Sequence, residues 1–452
     1  MKGVGCRLNI ALISMGCPKN QVDADVMAHA LLQAGHKTVE SAAAADCVLI
    51  NTCGFIESAK QEAIDTILEA CSCKEYNPAL KVVVTGCLAE RYQSEIRKEI
   101  PEVDAVVGIG SNAAIVSILE RLEHGEAGIE SYGPKAGLPL SGKRVISTPR
   151  HYAYLKIAEG CSNCCTYCAI PLIRGPLRSR TVESCVAEAR WLASEGVKEL
   201  IVVAQDITAF GADRGNVEIA RLLDELNAVP GIEWIRLLYA YPERITDEFV
   251  AAMVRNEKVL HYLDVPIQHI DSDVLRAMNR KGDEHTVRAA LEKLRSAMPD
   301  ITLRTTLIAG FPGETDAQFE KLCAFVREQK FARLGCFAYS EEEGTKAALL
   351  PQLPQEVRQQ RADAVMRIQT DMMAQRQAAL VGAHMTVLCD GRDDENGLWL
   401  CRSAADAPEI DAVVCVDGEA ELTPGQFYTV CIEDSDVYDL YATLAEEGST
   451  QR

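Results

Sequence analysis

At 452 residues, with 48% hydrophobic and 25% charged positions, the chain has ordinary globular composition and room for two or three domains with sizeable cores. A formal net charge of -20 argues against a protein that clamps nucleic acid through its overall field. Met1 to Asn9 has no apolar run after its few basic residues and no stretch approaches a membrane span, so a soluble, cytoplasmic protein without membrane partners is expected.

Residues 1–125 alternate short apolar runs with helical spacing. The runs are Leu8 to Ser14, Cys47 to Asn51, Val82 to Thr85 and Ala105 to Val107; the helical patterns are Gln21 to Gln33, Glu57 to Cys71 and Ala89 to Lys98. This implies an open, mostly parallel α/β sheet. Cys17, Cys53 and Cys87 each fall just past the end of a successive strand, 36 and then 34 residues apart. Carboxyl ends of parallel strands share one edge, so the three thiols can converge on a metal cluster, and the glycine beside each would let backbone approach a bulky ligand. Cys71 and Cys73 form a rival pair, although Cys-x-Cys suits a cubane poorly. Gly108-Ile109-Gly110 is too short for a dinucleotide loop and reads as a turn. Residues 126–149, with Gly133-Pro134 and Thr148-Pro149, read as a linker.

Residues 150–375 carry six further strand patterns: Ala153 to Ile157, Leu200 to Ala204, Trp234 to Leu238, Tyr262 to Val265, Thr302 to Ile308 and Leu334 to Phe337. Crossover helices lie between them, which gives a partial (β/α)6 barrel with its chemistry at the strands' carboxyl ends. After the first strand comes Gly160-Cys161-Ser162-Asn163-Cys164-Cys165-Thr166-Tyr167-Cys168. Cys161, Cys165 and Cys168 can hold three corners of a 4Fe-4S cluster and leave one iron open. A zinc knuckle is the bland alternative, but no second Cys-x2-Cys or paired His follows nearby. Cys164 is then a spectator. Later strand ends deliver Gln205 and Asp206, Gln268 and His269, and the turn Gly310 to Thr315, which serves either as a cofactor contact or as a helix entry capped by Thr315. His269 reads as a hydrogen-bonding or structural residue, with a metal ligand as the alternative.

Eighteen cysteines in a large chain without a signal peptide point to reduced thiols and metal ligands. Cys47, Cys185, Cys323, Cys336, Cys389, Cys415 and Cys431 lie in apolar periodic segments and act as small hydrophobes. After a helix from Pro354 to about Leu380, residues 381–445 carry five short strand patterns that suggest a small β-barrel of the oligonucleotide-binding kind. From Val381 to Arg452 there are 16 Asp or Glu and 3 Lys or Arg. That balance counts against direct RNA binding, and leaves a solvated acidic face or a docking surface for a basic partner.

Cys161, Cys165 and Cys168, preceded by Cys17, Cys53 and Cys87 and followed by a terminal barrel, resemble the radical S-adenosylmethionine methylthiotransferases in domain order over nearly the whole chain. Within that family, Met15 to Asn20, His151 to Ile157, Ala204-Gln205-Asp206 and Asp406 to Asp411 are similar to the branch that modifies an aspartate of ribosomal protein S-twelve. The resemblance implies a cluster domain, a radical domain and a TRAM barrel, two 4Fe-4S clusters and S-adenosylmethionine. Cys161, Cys165 and Cys168 would hold the radical cluster, and Cys17, Cys53 and Cys87 an auxiliary one. Tyr167, Gln205, Gln268, Gly310 and Gly313 would help to seat S-adenosylmethionine. One S-adenosylmethionine would methylate a sulfur carried on the auxiliary cluster, and a second would give an adenosyl radical that abstracts hydrogen from the aspartate β-carbon. Coupling would then give β-methylthio-aspartate. The partners implied are ribosomal protein S-twelve or the small ribosomal subunit, an electron donor such as flavodoxin or ferredoxin, and a sulfur donor. A transfer RNA adenosine methylthiotransferase, a radical enzyme whose N-terminal cysteines are structural, and a metal-binding ribosome-assembly factor are the alternatives. Two departures, Cys164 and the Ala404-Ala405-Asp406 stretch where a proline is common, remove no ligand.

Overall fold

The computed structural model describes residues 7–419 and 421–445. Most of the Met1 to Asn9 reading and the last two glutamates of the acidic tail lie outside these residues. The chain divides into two compact units: Met1–Ser147, Lys156–Arg180 and Ser340–Ala348 form the first, and Thr148–Leu155, Thr181–Tyr339 and Leu349–Arg452 the second. Among the described residues no helix is long and apolar enough to cross a membrane.

The first unit is built on a six-stranded parallel sheet in the order β2-β1-β3-β4-β5-β6. Its strands are β1 (Asn9–Ser14), β2 (Lys37–Val39), β3 (Cys47–Thr52), β4 (Lys81–Gly86), β5 (Ala105–Val107) and β6 (Ile129–Ser131). Strand residues alternate between two cores. Ala11, Val48, Ile50, Val82, Val84 and Val106 meet Ala63, Ile67 and Ala70 of helix α2 (Glu57–Ser72). Ile10, Cys47, Leu49, Val83, Ala105 and Val107 meet Ala24, Met27 and Leu31 of α1 (Pro18–Gln33) and Ile115 to Leu122 of another helix. A sheet covered on both faces explains why its strands read as unbroken apolar runs. β2 and β6 were not expected, since a three-residue edge strand carries too little periodicity to register. β6 lies within the stretch read as a linker. The helix expected over Ala89 to Lys98 is two, Cys87–Tyr92 and Ser94–Glu99, broken at Gln93 with φ 41°.

After β7 (Tyr152–Lys156), a short antiparallel pair in the first unit, β8 (Ala158–Glu159) and β9 (Arg178–Ser179), brackets the second cysteine loop. The second unit holds a six-stranded sheet in strictly sequential order: β7, β10 (Glu199–Val203), β11 (Trp234–Leu237), β12 (Val259–Asp264), β13 (Thr302–Ala309) and β14 (Arg333–Ala338). This is the partial barrel expected, matched strand for strand. β15 (His384–Asp393), β16 (Leu398–Ser403), β17 (Val414–Asp417), β18 (Phe427–Ser435) and β19 (Leu440–Leu444) close into the expected five-stranded barrel, around Val387, Cys389, Cys401, Val416, Val430 and Ile432.

Buried charge seats this barrel on the second sheet. Glu199 of β10 is fully buried and accepts from Arg236 Nε and Arg402 Nη1, each at 2.7 Å. Arg402 also donates to Asp390 at 2.6 and 2.9 Å, and His151 Nε2 lies 2.7 Å from the same carboxylate. Tyr262 donates to Asp411 at 2.6 Å, Tyr152 to Glu409 at 3.2 Å, and Arg333 pairs with Asp406. The segments His151 to Ile157 and Asp406 to Asp411 thus meet in one joint. The acidic tail divides accordingly: Asp390, Asp406, Glu409 and Asp411 are engaged within the unit, whereas Asp394, Glu395, Asp417, Glu419, Glu421, Glu433, Asp434 and Asp436 face solvent.

Candidate metal centres

Cys17, Cys53 and Cys87 stand at the carboxyl edge of the first sheet, at the ends of β1, β3 and β4. Cys17 is the N-cap of α1, and Cys87 opens helix α3 (Cys87–Tyr92) directly from β4. The flanking glycines bring the three loops against one another. A Cβ on Gly16, at φ +91°, would lie 2.7 Å from Cys53 Cβ and 2.9 Å from its Sγ, and one on Gly54 would lie 2.7 Å from Leu88 Cα. Gly86, at φ +94°, presses on Thr52 and on Asn51 Oδ1, which its Cβ would approach to 2.7 Å. The glycines therefore permit loop-to-loop contact. Asn20 ties the same loops by donating to Met15, Asn51 and Thr52 carbonyls at 2.8, 3.3 and 3.2 Å.

Burial pushes the Cys87 thiol up to about 12, aided by the nearby Cys17 and Cys53 and opposed by Arg174. Burial likewise raises Cys53, with Cys17 adding to it. Thiols raised by burial, as those of Cys53 and Cys87 are, give up their protons when they ligate a metal. Among the described residues no three His, Cys, Asp or Glu side chains gather closely enough for a single ion. A cubane gives each thiolate a separate iron, so thiols spread over three abutting loops fit it. Cys71, buried in the core, and Cys73, whose Sγ faces Glu69 O at 3.5 Å, lie at the end of α2 near Asp104, on the opposite edge of the sheet. Gly86→Ala is expected to cost about 1–3 kcal/mol for its backbone conformation alone and to lower the iron this site retains, measured by urea unfolding and iron assay.

Cys161, Cys165 and Cys168 share one loop. Gly160, at φ +71°, starts it where a Cβ would strike the carbonyls of Gly175, at 2.6 Å, and Pro176. Cys161 N donates to Gly175 O at 3.0 Å, Cys168 N to Cys165 O at 3.1 Å, and Asn163 N points at Cys161 Sγ at 3.5 Å. Cys161 and Cys165 are buried, and burial followed by the fields of Cys165, Cys161 and Cys164 raises the Cys168 thiol. Cys164 is exposed, in a left-handed conformation at φ 54°. Tyr167 is half-buried beside Cys168.

Sequence reasoning missed the buried charges beneath these loops. Arg174, at the end of helix α4 (Ile170–Arg174) below the second loop, is 1% exposed; its Nη1 donates to Asp23 and to both oxygens of Glu159, each at 2.9 Å. Lys156 pairs with the same two carboxylates. Arg174 Nη2 reaches Asn20 Oδ1 at 3.1 Å and Cys87 Sγ at 3.4 Å. One signal was available: Asn20 and Asp23 begin the stripe that Met27 and Leu31 continue on the buried face of α1.

In the second unit, Gln205 follows β10, Gln268 follows β12 at φ 70°, and Gly310 and Gly313 follow β13 at φ +75° and +83°. Gln268 is bridged to Leu307, and Ile308 N donates to its carbonyl at 2.8 Å. A Cβ on Gly310 would lie 2.6 Å from Arg358 Cγ, whereas one on Gly313 would meet open space. Glu314 closes this turn by accepting from Gly310 N at 2.9 Å and Arg361 at 2.8 Å, and Thr315 caps the following helix in a capping box. His269 is fully buried; Nδ1 accepts from Asp271 N at 2.9 Å and Nε2 faces Glu314 at 3.5 Å. Nε2 is buried there without a hydrogen-bond partner among the described residues.

Three family models match the chain: Uncharacterized protein family UPF0004 over residues 9–108, the Radical SAM superfamily over 155–326 and the TRAM domain over 381–444. The fold is shared with a radical S-adenosylmethionine methyltransferase, TsrM, from Kitasatospora setae, at TM-score 0.54 and 14% identity over 83% of this chain and 78% of that one. It is also shared with the cobalamin-dependent radical enzyme OxsB, at TM-score 0.53 and 11% identity over 80% and 56%. Curated relatives named Ribosomal protein uS12 methylthiotransferase RimO match far more closely in sequence. That of Desulfitobacterium hafniense is 45% identical over 97% of this chain and 98% of its own length, and that of Clostridioides difficile 44% over 97% and 99%. With both cysteine triplets, the radical sheet and the terminal barrel inside matches of that length, the chain belongs to the RimO family of radical S-adenosylmethionine methylthiotransferases.

Proposed function

We propose that this chain converts an aspartate of ribosomal protein S-twelve to β-methylthio-aspartate, in the cytoplasm where ribosomes are made. The observation that carries the reading is the meeting of Cys17, Cys53 and Cys87 at one sheet edge, within a chain that also holds the Cys161, Cys165 and Cys168 loop. Two 4Fe-4S clusters and S-adenosylmethionine, when bound, supply reductive carbon–sulfur cleavage and the methylthio group. The chain's own part is to bind, position and exclude water. Cys161, Cys165 and Cys168 hold the radical cluster and Cys17, Cys53 and Cys87 the auxiliary one. Tyr167, Gln205, Gln268, Gly310 and Gly313 seat S-adenosylmethionine, and Gly313, with open space beside it, is the freest of these for close backbone approach. An electron donor of the flavodoxin or ferredoxin kind and a sulfur donor complete the system. Hydrogen-atom abstraction needs no side-chain base. The test is ribosomal protein deuterated at its aspartate β-carbons: deuterium should appear in 5'-deoxyadenosine, and its absence while methylthiolation proceeds would refute this route.

The solvent-facing carboxylates of the barrel suit a lysine-rich and arginine-rich substrate. Asp394→Lys, Glu395→Lys, Glu419→Lys and Glu421→Lys together are expected to weaken substrate binding about tenfold at low salt, with the difference shrinking as ionic strength rises. Iron content should not change. Binding measured by titration at two salt concentrations checks this, and unchanged affinity would remove the docking role.

A further inference from the structure

The buried cluster of Arg174, Asp23, Glu159 and Lys156 pairs two cations with two carboxylates. One nitrogen of Arg174 does all of its ionic work: Nη1 carries both carboxylates. Nη2 is turned away from them, to Asn20 Oδ1 and Cys87 Sγ. A lysine could satisfy the two carboxylates but has no second arm in a fixed fork. The choice of arginine is thus accounted for by what Nη2 touches. Asn20 in turn ties the loops that carry Cys17 and Cys53. Glu159 and Arg174 also stand at the two ends of the loop bearing Cys161, Cys165 and Cys168, so one guanidinium closes the base of that loop and reaches a thiol of the other triplet.

We propose that Arg174 is a positioning residue of the auxiliary cluster, whose guanidinium donates to the Cys87 sulfur and thereby raises that cluster's reduction potential and fixes its orientation. Hydrogen bonds to ligating sulfurs and nearby positive charge favour the reduced, more negative state of a cluster. The inference rests on reading Cys17, Cys53 and Cys87 as ligands of a cluster.

The experiment uses full-length chain with Cys161→Ala, Cys165→Ala and Cys168→Ala, reconstituted with iron and sulfide, so that only the auxiliary cluster reports. Its midpoint is followed by electron paramagnetic resonance during reductive titration. Arg174→Lys, which keeps the charge and loses the fork, should move the midpoint to more negative values. Arg174→Gln with Asp23→Asn should move it further, and this pair preserves the charge balance of the pocket if either single change unfolds the protein. The same substitutions in a chain lacking Cys17, Cys53 and Cys87 should leave the radical cluster's midpoint in place. An unmoved auxiliary midpoint overturns the proposal, as does an equal shift at both clusters, which would mean general loosening. A parent triple variant that binds no iron would overturn the ligand reading itself, a result distinct from a bound cluster whose midpoint ignores Arg174.

Discussion

Replacing Cys17, Cys53 and Cys87 together by alanine is expected to lower bound iron from about eight to about four per chain, to leave S-adenosylmethionine cleavage in place, and to abolish methylthio transfer. The three thiols end separate strands, and only their side chains change. Both hydrophobic cores of the first sheet lie below that edge and are untouched, so the unit should still fold. Cys87 packs with Ala169 and Ile173, where an alanine is tolerated better than any larger residue. Cys71→Ala with Cys73→Ala is the matched control and should leave iron unchanged, because that pair lies on the opposite edge. The reverse triple, Cys161→Ala, Cys165→Ala and Cys168→Ala, should also retain about four irons but cleave no S-adenosylmethionine. Iron assay and 5'-deoxyadenosine chromatography on the two triples separate the centres.

Glu199→Ala is expected to destabilise the second unit by about 3–5 kcal/mol, because it strands two buried guanidinium groups. Arg236 and Arg402 are fully buried and converge on this carboxylate from a sheet strand and a barrel strand. Glu199→Gln, which keeps an acceptor, should cost less. Denaturant unfolding gives both values, and a loss below about 1 kcal/mol for alanine would show that water or rearrangement compensates. The joint also carries a pH signature. Burial pushes Glu199 and Asp390 up, but Arg402 and Arg236 at the first, and His151 and Arg402 at the second, hold them below the ordinary carboxylate range. Carboxylates lowered in the folded state contribute stability above their unfolded values and lose it as pH falls through the folded ones. Stability of the native chain should therefore drop on acidification below about pH 4, and the Glu199→Ala variant should show a shallower drop.

The architecture was legible because parallel sheets covered on both faces leave long apolar runs and barrels leave short alternating ones. β2 and β6 escaped because three residues hold less than two periods of alternation. Cys17, Cys53 and Cys87 could be placed together from sequence since strand ends on one edge meet whatever the details of the helices. Arg174, Glu159, Asp23 and Lys156 could not, because a buried ion pair and an exposed one have the same composition, and the pairs that Lys156 and Arg174 make with Asp23, 133 and 151 residues away, leave no local pattern. The same limit hid the division of the acidic tail. Asp390, Asp406 and Asp411 look like Asp394 or Glu419 until their partners Arg402, Arg333 and Tyr262 are placed. The missing Cβ of Gly16, Gly54 and Gly86 is legible in the sequence, whereas the loop contacts that it permits need the fold.

One expectation governs the rest: the substrate is a protein aspartate. Its most direct test is mass spectrometry after anaerobic turnover of the reconstituted enzyme with reductant, sulfide and S-adenosylmethionine, offered ribosomal protein S-twelve and unmodified transfer RNA in the same reaction. A methylthio mass gain on one aspartate peptide of the ribosomal protein, with none on the RNA, is the result expected. A gain on adenosine alone would contradict the account.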